Sequence, residues 1–234
     1  MFAHMYVEGT GNMVRASESA CLGRTDVGCV RWKPSIPATP GLEEAVVFNF
    51  GSGRRLDQLF AWCQQTGTPL VQAATGKGSR LPTRFDYPVI VSPNLALPMR
   101  TALENLPAFV MPLMQEPDTS IELEESHPYT KVDLPSGTSL IMAEPYAIPR
   151  EEIVSVRAWK KHVRLGFPKE ETSGFYATHR LTVRSPGMVA QVTLHVSSRA
   201  LYAKGAIKLA HWIVENRSRL ENRIYHSLSE LPGF

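Results

Sequence analysis

The residues best equipped for chemistry lie in residues 121–139. Ile121 and Leu123 alternate with Glu122 and Glu124, which is the pattern of a strand with one face turned inward. The chain then turns polar, with His127, Lys131 and the run Pro135-Ser136-Gly137-Thr138. Pro135 and Gly137 punctuate a tight bend, and Thr138 opens a short helix through Leu140 and Met142. Such a strand–turn–helix junction cradles anions. Backbone N–H groups of Ser136, Gly137 and Thr138 point outward, the hydroxyls add donors, and the helix dipole favours negative charge. An imidazole titrates near neutrality, so His127 is a candidate proton donor at cellular pH. Lys131 supplies a fixed cation for a carboxylate or a developing negative charge. A solvated loop with a capped helix is the plainer reading of each residue taken singly.

These groups need a scaffold, and the first hundred residues describe one. Residues 5–7 form a short strand that runs into Gly9-Thr10-Gly11-Asn12-Met13. A helix over residues 13–22 and a strand over 27–30 follow. Strand, Gly-x-Gly, helix, strand opens a dinucleotide-binding unit, because glycines let the backbone approach a pyrophosphate seated on the helix N-terminus. The third glycine of that fingerprint is missing, and Glu8 is an unusual residue for the end of a buried strand. Residues 34–40 carry three prolines and read as an extended connector. Further strands are expected over 45–50, 69–73 and 89–91. An amphipathic helix bearing Leu56, Leu59, Phe60 and Cys63 stands between the first two and ends at Gly67.

The second half predicts a helix over 99–106, then the strand and turn described above. Pro145 and Pro149 keep the following helix short. A strand over 153–159 and a basic polar stretch over 160–173 come next. That stretch holds Lys160, Lys161, His162, Arg164 and Lys169, and reads as a solvated loop or as a segment that meets carboxylates. A hairpin of 180–183 and 189–196 turns at Ser185-Pro186-Gly187. A last helix, its start shaped by Ser198 and Gly205, continues through residues 207–214.

Composition excludes several classes. Twenty-five basic and 22 acidic residues give a formal charge of +3, too small a bias to argue for nucleic acid or a membrane surface. Apolar runs are too short to span a bilayer. Cys21, Cys29 and Cys63 lack metal-ligand spacing and read as reduced thiols of a cytoplasmic protein. The sequence also shows no His/Cys metal motif, no Gly-x-Ser-x-Gly and no phosphate-binding Walker loop, so no metal is expected.

The order Glu125-x-His127-x-x-x-Lys131-x-Asp133-x-Pro135-Ser136-Gly137-Thr138 resembles the signature of the dihydrodipicolinate reductases. The segment from His195 through Ser197, Ser198, Arg199 and Ala203 to Gly205 and Ala206 resembles that family too. The resemblance covers roughly residues 45–218 and, more faintly, 7–30. It implies an α/β fold: a shortened Rossmann-like dinucleotide-binding domain plus an α+β domain with an open mixed sheet. The expected boundaries are 1–97 with 205–234, and 98–204. It further implies NADPH or NADH as cofactor, a cyclic unsaturated dicarboxylate as substrate, and a homo-oligomer, tetrameric in the family. Catalysis would fall to His127 and Lys131, and substrate binding to Ser136, Gly137, Thr138 and Arg199. Cofactor binding would fall to Gly9, Gly11, Asn12 and Met13, with Arg31 and Lys33 reading the adenosine ribose. Ala74, Thr75 and Gly76 would stand beside the nicotinamide, where the family has Gly-Thr-Thr-Gly, and Asn94 is the polar residue retained after the next strand.

Departures keep the substrate open. Pro128 stands where the family usually has a second histidine, and Tyr129 and Thr130 replace residues it usually makes basic. The connector over 34–40 takes the place of a helix and strand. Three readings follow: a compact reductase of lysine and diaminopimelate biosynthesis, a reductase of the same fold aimed at another cyclic imine or dicarboxylate, and a non-catalytic binding relative.

Overall fold

In the computed structural model, which describes residues 2–39, 41–166 and 176–234, helices are interspersed with strands along the chain. In order they are β1 (Ala3–Glu8), α1 (Asn12–Cys21), β2 (Val27–Arg31), β3 (Ala45–Asn49), α2 (Leu56–Thr66), β4 (Leu70–Gln72) and β5 (Val89–Val91). Then come α3 (Leu97–Leu113), β6 (Ser120–Ser126), α4 (Gly137–Ala143), β7 (Val154–Val156) and α5 (Trp159–Arg164). The chain finishes with β8 (Ala177–Ser185), β9 (Met188–Val196), α6 (Ala200–Glu215) and β10 (Ile224–Tyr225). Two units result, Met1–Ala96 with Ala200–Phe234, and Leu97–Arg199.

The first unit is built on a six-stranded parallel sheet of order β10-β5-β4-β3-β1-β2. Every residue of β3 is buried, which is why its sequence, Ala-Val-Val-Phe-Asn, is almost wholly apolar. Helix α2 lays Leu59 and Cys63 against Val47 and Leu70, and each such fully buried Leu or Val contributes about 2 kcal/mol. Gly67 ends that helix in the left-handed region at φ 67°. The proline-rich connector is tied down by the Trp62 Nε1–H, which donates to the carbonyls of Ile36 at 3.1 Å and Pro37 at 3.3 Å. Helix α6 packs on α1 and β1 through buried Ala203, Ala206, Ile207, Ala210 and Ile213.

One feature of the order decides where a ligand would sit. β1 pairs with β2 on one side and with β3 on the other. The chain therefore reverses its direction of winding between β1 and β3. In open parallel sheets, ligands lie outside the carboxyl ends of the strands at such a switch point.

The second unit carries a four-stranded mixed sheet, β7-β6-β8-β9. β6 runs parallel to β7 and antiparallel to β8, and β8 forms a hairpin with β9. Leu123, Leu181 and Val183 bury one face under Leu106 and Val110 of α3 and Met142 of α4.

Two segments depart from the sequence expectation. Helix α3 continues to Leu113 through Pro107 and Pro112 because the buried stripe of Leu106 and Val110 carries it on. The basic stretch beginning at Lys160 is helical rather than looped, and the preceding strand stops at Val156. The reason is packing. His162 is fully buried, with its Nδ1 2.7 Å from the Ser126 Oγ and its ring stacked on Trp159 at 4.9 Å. Lys169 lies outside the described residues. Among those described, no helix is long and apolar enough to cross a membrane.

Candidate functional site

The carboxyl end of β6 gathers the chemistry of the second unit. Successive strand residues alternate faces, so Glu125 and His127 share a side. Sheet register then sets Ser155 of β7 beside Glu125 on one flank and His179 of β8 on the other. Glu125 is fully buried and densely bonded. Its Oε1 accepts from Ser155 Oγ at 2.8 Å and Arg157 Nη2 at 2.7 Å. Its Oε2 accepts from the Ser136 N–H at 3.0 Å and Ser139 Oγ at 2.7 Å. Burial alone would raise its pKa; the hydrogen bonds from Ser136, Ser139 and Arg157 together hold it well below the ordinary carboxylate range.

His127 is 3 % exposed, and its Nδ1 lies 3.5 Å from Glu125 Oε2 without a hydrogen-bond partner. Its main chain is fixed, since its N–H donates to the Val156 carbonyl at 3.1 Å and its carbonyl accepts from the Tyr176 hydroxyl at 3.1 Å. The His179 ring meets it edge-on at 5.2 Å. A near-neutral titration is not what the fold produces. Burial first, then the positive field of His179, Lys131 and Arg157, pushes His127 down to about 3, against the opposing pull of Glu125. His179 is likewise lowered, to about 4, chiefly by burial. Both rings are therefore neutral at pH 7.

Ser136 is spent on structure. Besides its N–H to Glu125, its hydroxyl caps α4 by accepting the Ser139 N–H at 3.3 Å, and it lies 3.3 Å from His179 Nε2. Gly137 and Thr138 are half-buried in the first turn of α4. Lys131 is half-buried and salt-bridged to Asp133 at 2.8 Å. Arg199 is half-buried in the turn before α6.

Glu125, His127 and His179 each offer one ligand atom, all within 4.8 Å of one another. Their chemistry fits an ion-pair network better than a cation site. Glu125 already accepts four hydrogen bonds, one of them from a guanidinium that repels a dication.

The residues expected to hold a cofactor lie in the first unit. Gly9 ends β1 at φ 128°, and a side chain there would meet the Phe50 and Gly51 backbone at 3.1 Å. Gly11 is the N-cap of α1 and provides no side-chain cap, and the first turn holds no acidic residue. Nothing lies within 4 Å of where a Gly11 side chain would start. An uncapped, open helix N-terminus at the switch point fits a phosphate-bearing group. Asn12 binds Arg15 at 2.6 Å through its own side chain, and Met13 is half-buried. Arg31 is held by Glu18 of α1 through contacts of 2.7 to 3.1 Å, whereas Lys33 is exposed. Ala74 is buried, Thr75 is exposed, and Gly76 opens a 3₁₀ turn. Asn94 is 8 % exposed, and its Oδ1 accepts the Ala96 N–H at 3.0 Å.

Several partners were missed from sequence. Arg157 and Ser155 carry no local signal, because sheet register brings them to Glu125, and Ser139 reaches it only through the first turn of α4. Asn49 and Gln72 were also passed over. Asn49 Nδ2 donates to Gln72 Oε1 at 2.7 Å and to the Gly78 carbonyl at 3.0 Å, knitting β3, β4 and the turn after β4. A polar residue closing an otherwise apolar strand was the available signal.

Comparison with known proteins identifies the family. A family model described as "Dihydrodipicolinate reductase, C-terminus" matches residues 102–226, over half of the chain. A curated 4-hydroxy-tetrahydrodipicolinate reductase of Oleidesulfovibrio alaskensis is 29% identical over 195 residues, covering 76% of this chain and 73% of its own. Another, of Hahella chejuensis, is 28% identical over 215 residues, 85% of this chain and 77% of its own. Among solved structures, the dipicolinate-bound dihydrodipicolinate reductase of Paenisporosarcina sp. TG-14 shares the fold. Its TM-score is 0.58 at 16% identity, covering 99% of this chain and 100% of that one.

Proposed function

The chain belongs to the dihydrodipicolinate reductase family of NAD(P)H-dependent oxidoreductases, and we propose that it reduces a cyclic unsaturated dicarboxylate in lysine and diaminopimelate biosynthesis. The observation that carries this reading is the buried, unspent imidazole of His127 on the Glu125–Arg157 pair. A reduced nicotinamide dinucleotide would supply the hydride. The N-terminus of α1, with Gly9, Gly11, Asn12 and Met13, would hold it, with Arg31, Lys33, Ala74, Thr75, Gly76 and Asn94 as further contacts.

The remaining work falls to residues of this chain. A hydride added to a conjugated double bond leaves negative charge that must be protonated. His127 is the proton donor in this scheme. Burial, with the cations beside it, holds its pKa low. A dicarboxylate brings two negative charges, which favour the imidazolium and lift that pKa towards neutrality. Glu125 positions the ring from the Nδ1 side and is itself kept ionised by its four donors. Lys131 answers a substrate carboxylate by leaving Asp133, and the N–H groups of Gly137 and Thr138 answer it with hydrogen bonds. Arg199 adds a second cation for the substrate.

The test generates the cyclic substrate in situ from pyruvate and aspartate semialdehyde with its synthase, and follows oxidation of NADH and of NADPH. Turnover with either cofactor is expected. His127→Gln should lower kcat by about a hundredfold or more with little change in cofactor affinity. Cofactor binding without turnover would transfer the reading to a reductase of another cyclic imine or dicarboxylate.

A further inference from the structure

The switch point of the parallel sheet holds an ion pair that the scheme above leaves unused. Glu8 is the last residue of β1 and is 5 % exposed. Its Oε1 lies 3.5 Å from Arg55 Nε, against 2.7 Å for the Arg31–Glu18 and Arg157–Glu125 pairs. Its Oε2 is buried and has no hydrogen-bond partner. Arg55 stands just ahead of α2, in the loop that leaves β3, and its side chain is 35% exposed.

Close backbone packing buries the carboxylate. Any side chain at Gly51 would meet Glu8 Oε1 at 3.1 Å, and one at Gly78 would meet the Gly51 carbonyl at 2.2 Å. The loop after β3 therefore closes on Glu8, and the loop after β4 packs against that loop. It is a poorly paired negative charge a few residues from the uncapped start of α1, where a phosphate would sit. Burial raises its pKa, and Arg55 and the Gly9 N–H only partly offset that. A carboxylate there opposes an incoming phosphate and also occupies the nearest guanidinium.

We propose that Glu8 and Arg55 form an exchangeable ion pair: Arg55 is the cation for the pyrophosphate of the dinucleotide, and Glu8 holds it in reserve and weakens binding. The inference rests on the cofactor reading given above. It adds a binding residue, Arg55, and an antagonist, Glu8. Three things favour exchange over a fixed structural pair. The separation is long, the guanidinium is partly exposed, and one carboxylate oxygen is unsatisfied, so little is lost when Arg55 turns to another anion.

The experiment measures dissociation constants of NADH and NADPH by calorimetry for the full-length wild type, Glu8→Gln, Glu8→Asp, Arg55→Gln and the double variant. Circular dichroism confirms that each one folds. Glu8→Gln is expected to tighten both cofactors about tenfold, since it removes one like charge near the pyrophosphate. Glu8→Asp keeps the charge and should stay near wild type. Arg55→Gln should weaken binding about tenfold, and by more when Glu8 is already neutral. Equal affinity of wild type and Glu8→Gln would overturn the antagonist role. Unchanged binding in Arg55→Gln would overturn the cation role. Binding by Glu8→Gln alone would support the inference outright. Absence of binding in every variant, Glu8→Gln included, would instead defeat the cofactor reading and take this inference with it.

Discussion

Glu8 and Glu125 are both buried carboxylates at the carboxyl ends of strands, and the fold treats them in opposite ways. Glu8 is raised by burial, with one loose cation at 3.5 Å and one oxygen without a partner. Glu125 is more deeply buried yet is lowered, because hydrogen bonds from Ser136, Ser139 and Arg157 outweigh that burial, and Ser155 supplies a fourth donor to its two oxygens. Burial depth therefore does not set the charge state of a carboxylate; the count and approach of donors do. Each unit has put that rule to a different use. In the second unit the charge is locked and serves as a fixed point for His127. In the first it is weakly held and able to change partners.

The largest effect should come from breaking the locked carboxylate. Glu125→Gln removes the charge opposite Arg157 and turns an NH₂ group toward either Arg157 or the Ser136 N–H, neither of which can accept from it. Removing one partner of a buried pair costs about 4 kcal/mol. A urea-unfolding midpoint should fall accordingly, whereas Glu8→Gln should move stability by less than about 1 kcal/mol. Equal losses in the two variants would erase the distinction between them.

Acid comes next. His127 is lowered from 6.5 to about 3 and His179 from 6.5 to about 4, so both stay neutral in the fold over a range where the unfolded chain binds protons. Stability then rises with pH, since the unfolded state carries more protons. The contribution is complete above the unfolded value of 6.5 and is lost as pH falls towards 4 and then 3. Between about pH 7 and pH 5 each imidazole should account for a loss of about 2 kcal/mol. Glu125, whose pKa is lowered from 4.5, adds its own loss only below that value, so the histidines act first. Replacing His179 with Gln should flatten the pH 5 to 7 slope of Tm; an unaltered slope would remove it from the account.

How much of this could be read from sequence divides along the same line. Alternation placed β6, and composition placed β3, because burial on one or both faces writes itself into residue type. The string from Glu125 to Thr138 gave the family because its residues are close together in the chain. Arg157 and Ser155 did not announce themselves, since they reach Glu125 through strand pairing, and register is a property of the whole sheet. The helix after Trp159 was hidden for a related reason. Lys160, Lys161 and Arg164 look solvated, and only the burial of His162 against Ser126 makes the segment helical. Glu8 stood out at once as an odd residue for a strand end, but nothing local showed that Arg55 would face it.

Ser155 offers the finest probe of the locked carboxylate. Its hydroxyl donates to Glu125 Oε1 at 2.8 Å from the strand directly beside it, and Arg157 Nη2 donates to the same oxygen at 2.7 Å. Ser155→Ala deletes one of four donors and leaves no buried group newly unpaired, because Arg157 still satisfies that oxygen. The expected loss is about 1.5 kcal/mol, the usual worth of a hydrogen bond to a charged group. The Glu125 pKa should rise while remaining below its ordinary 4.5, and a carboxylate resonance followed by NMR would show it. If the donors act as a count, as the contrast with Glu8 implies, deleting Ser155 moves Glu125 part of the way towards the behaviour of Glu8. If Arg157 alone holds the charge, Ser155→Ala should leave that titration where it was, and donor number would give way to the single ion pair as the reason the two carboxylates differ.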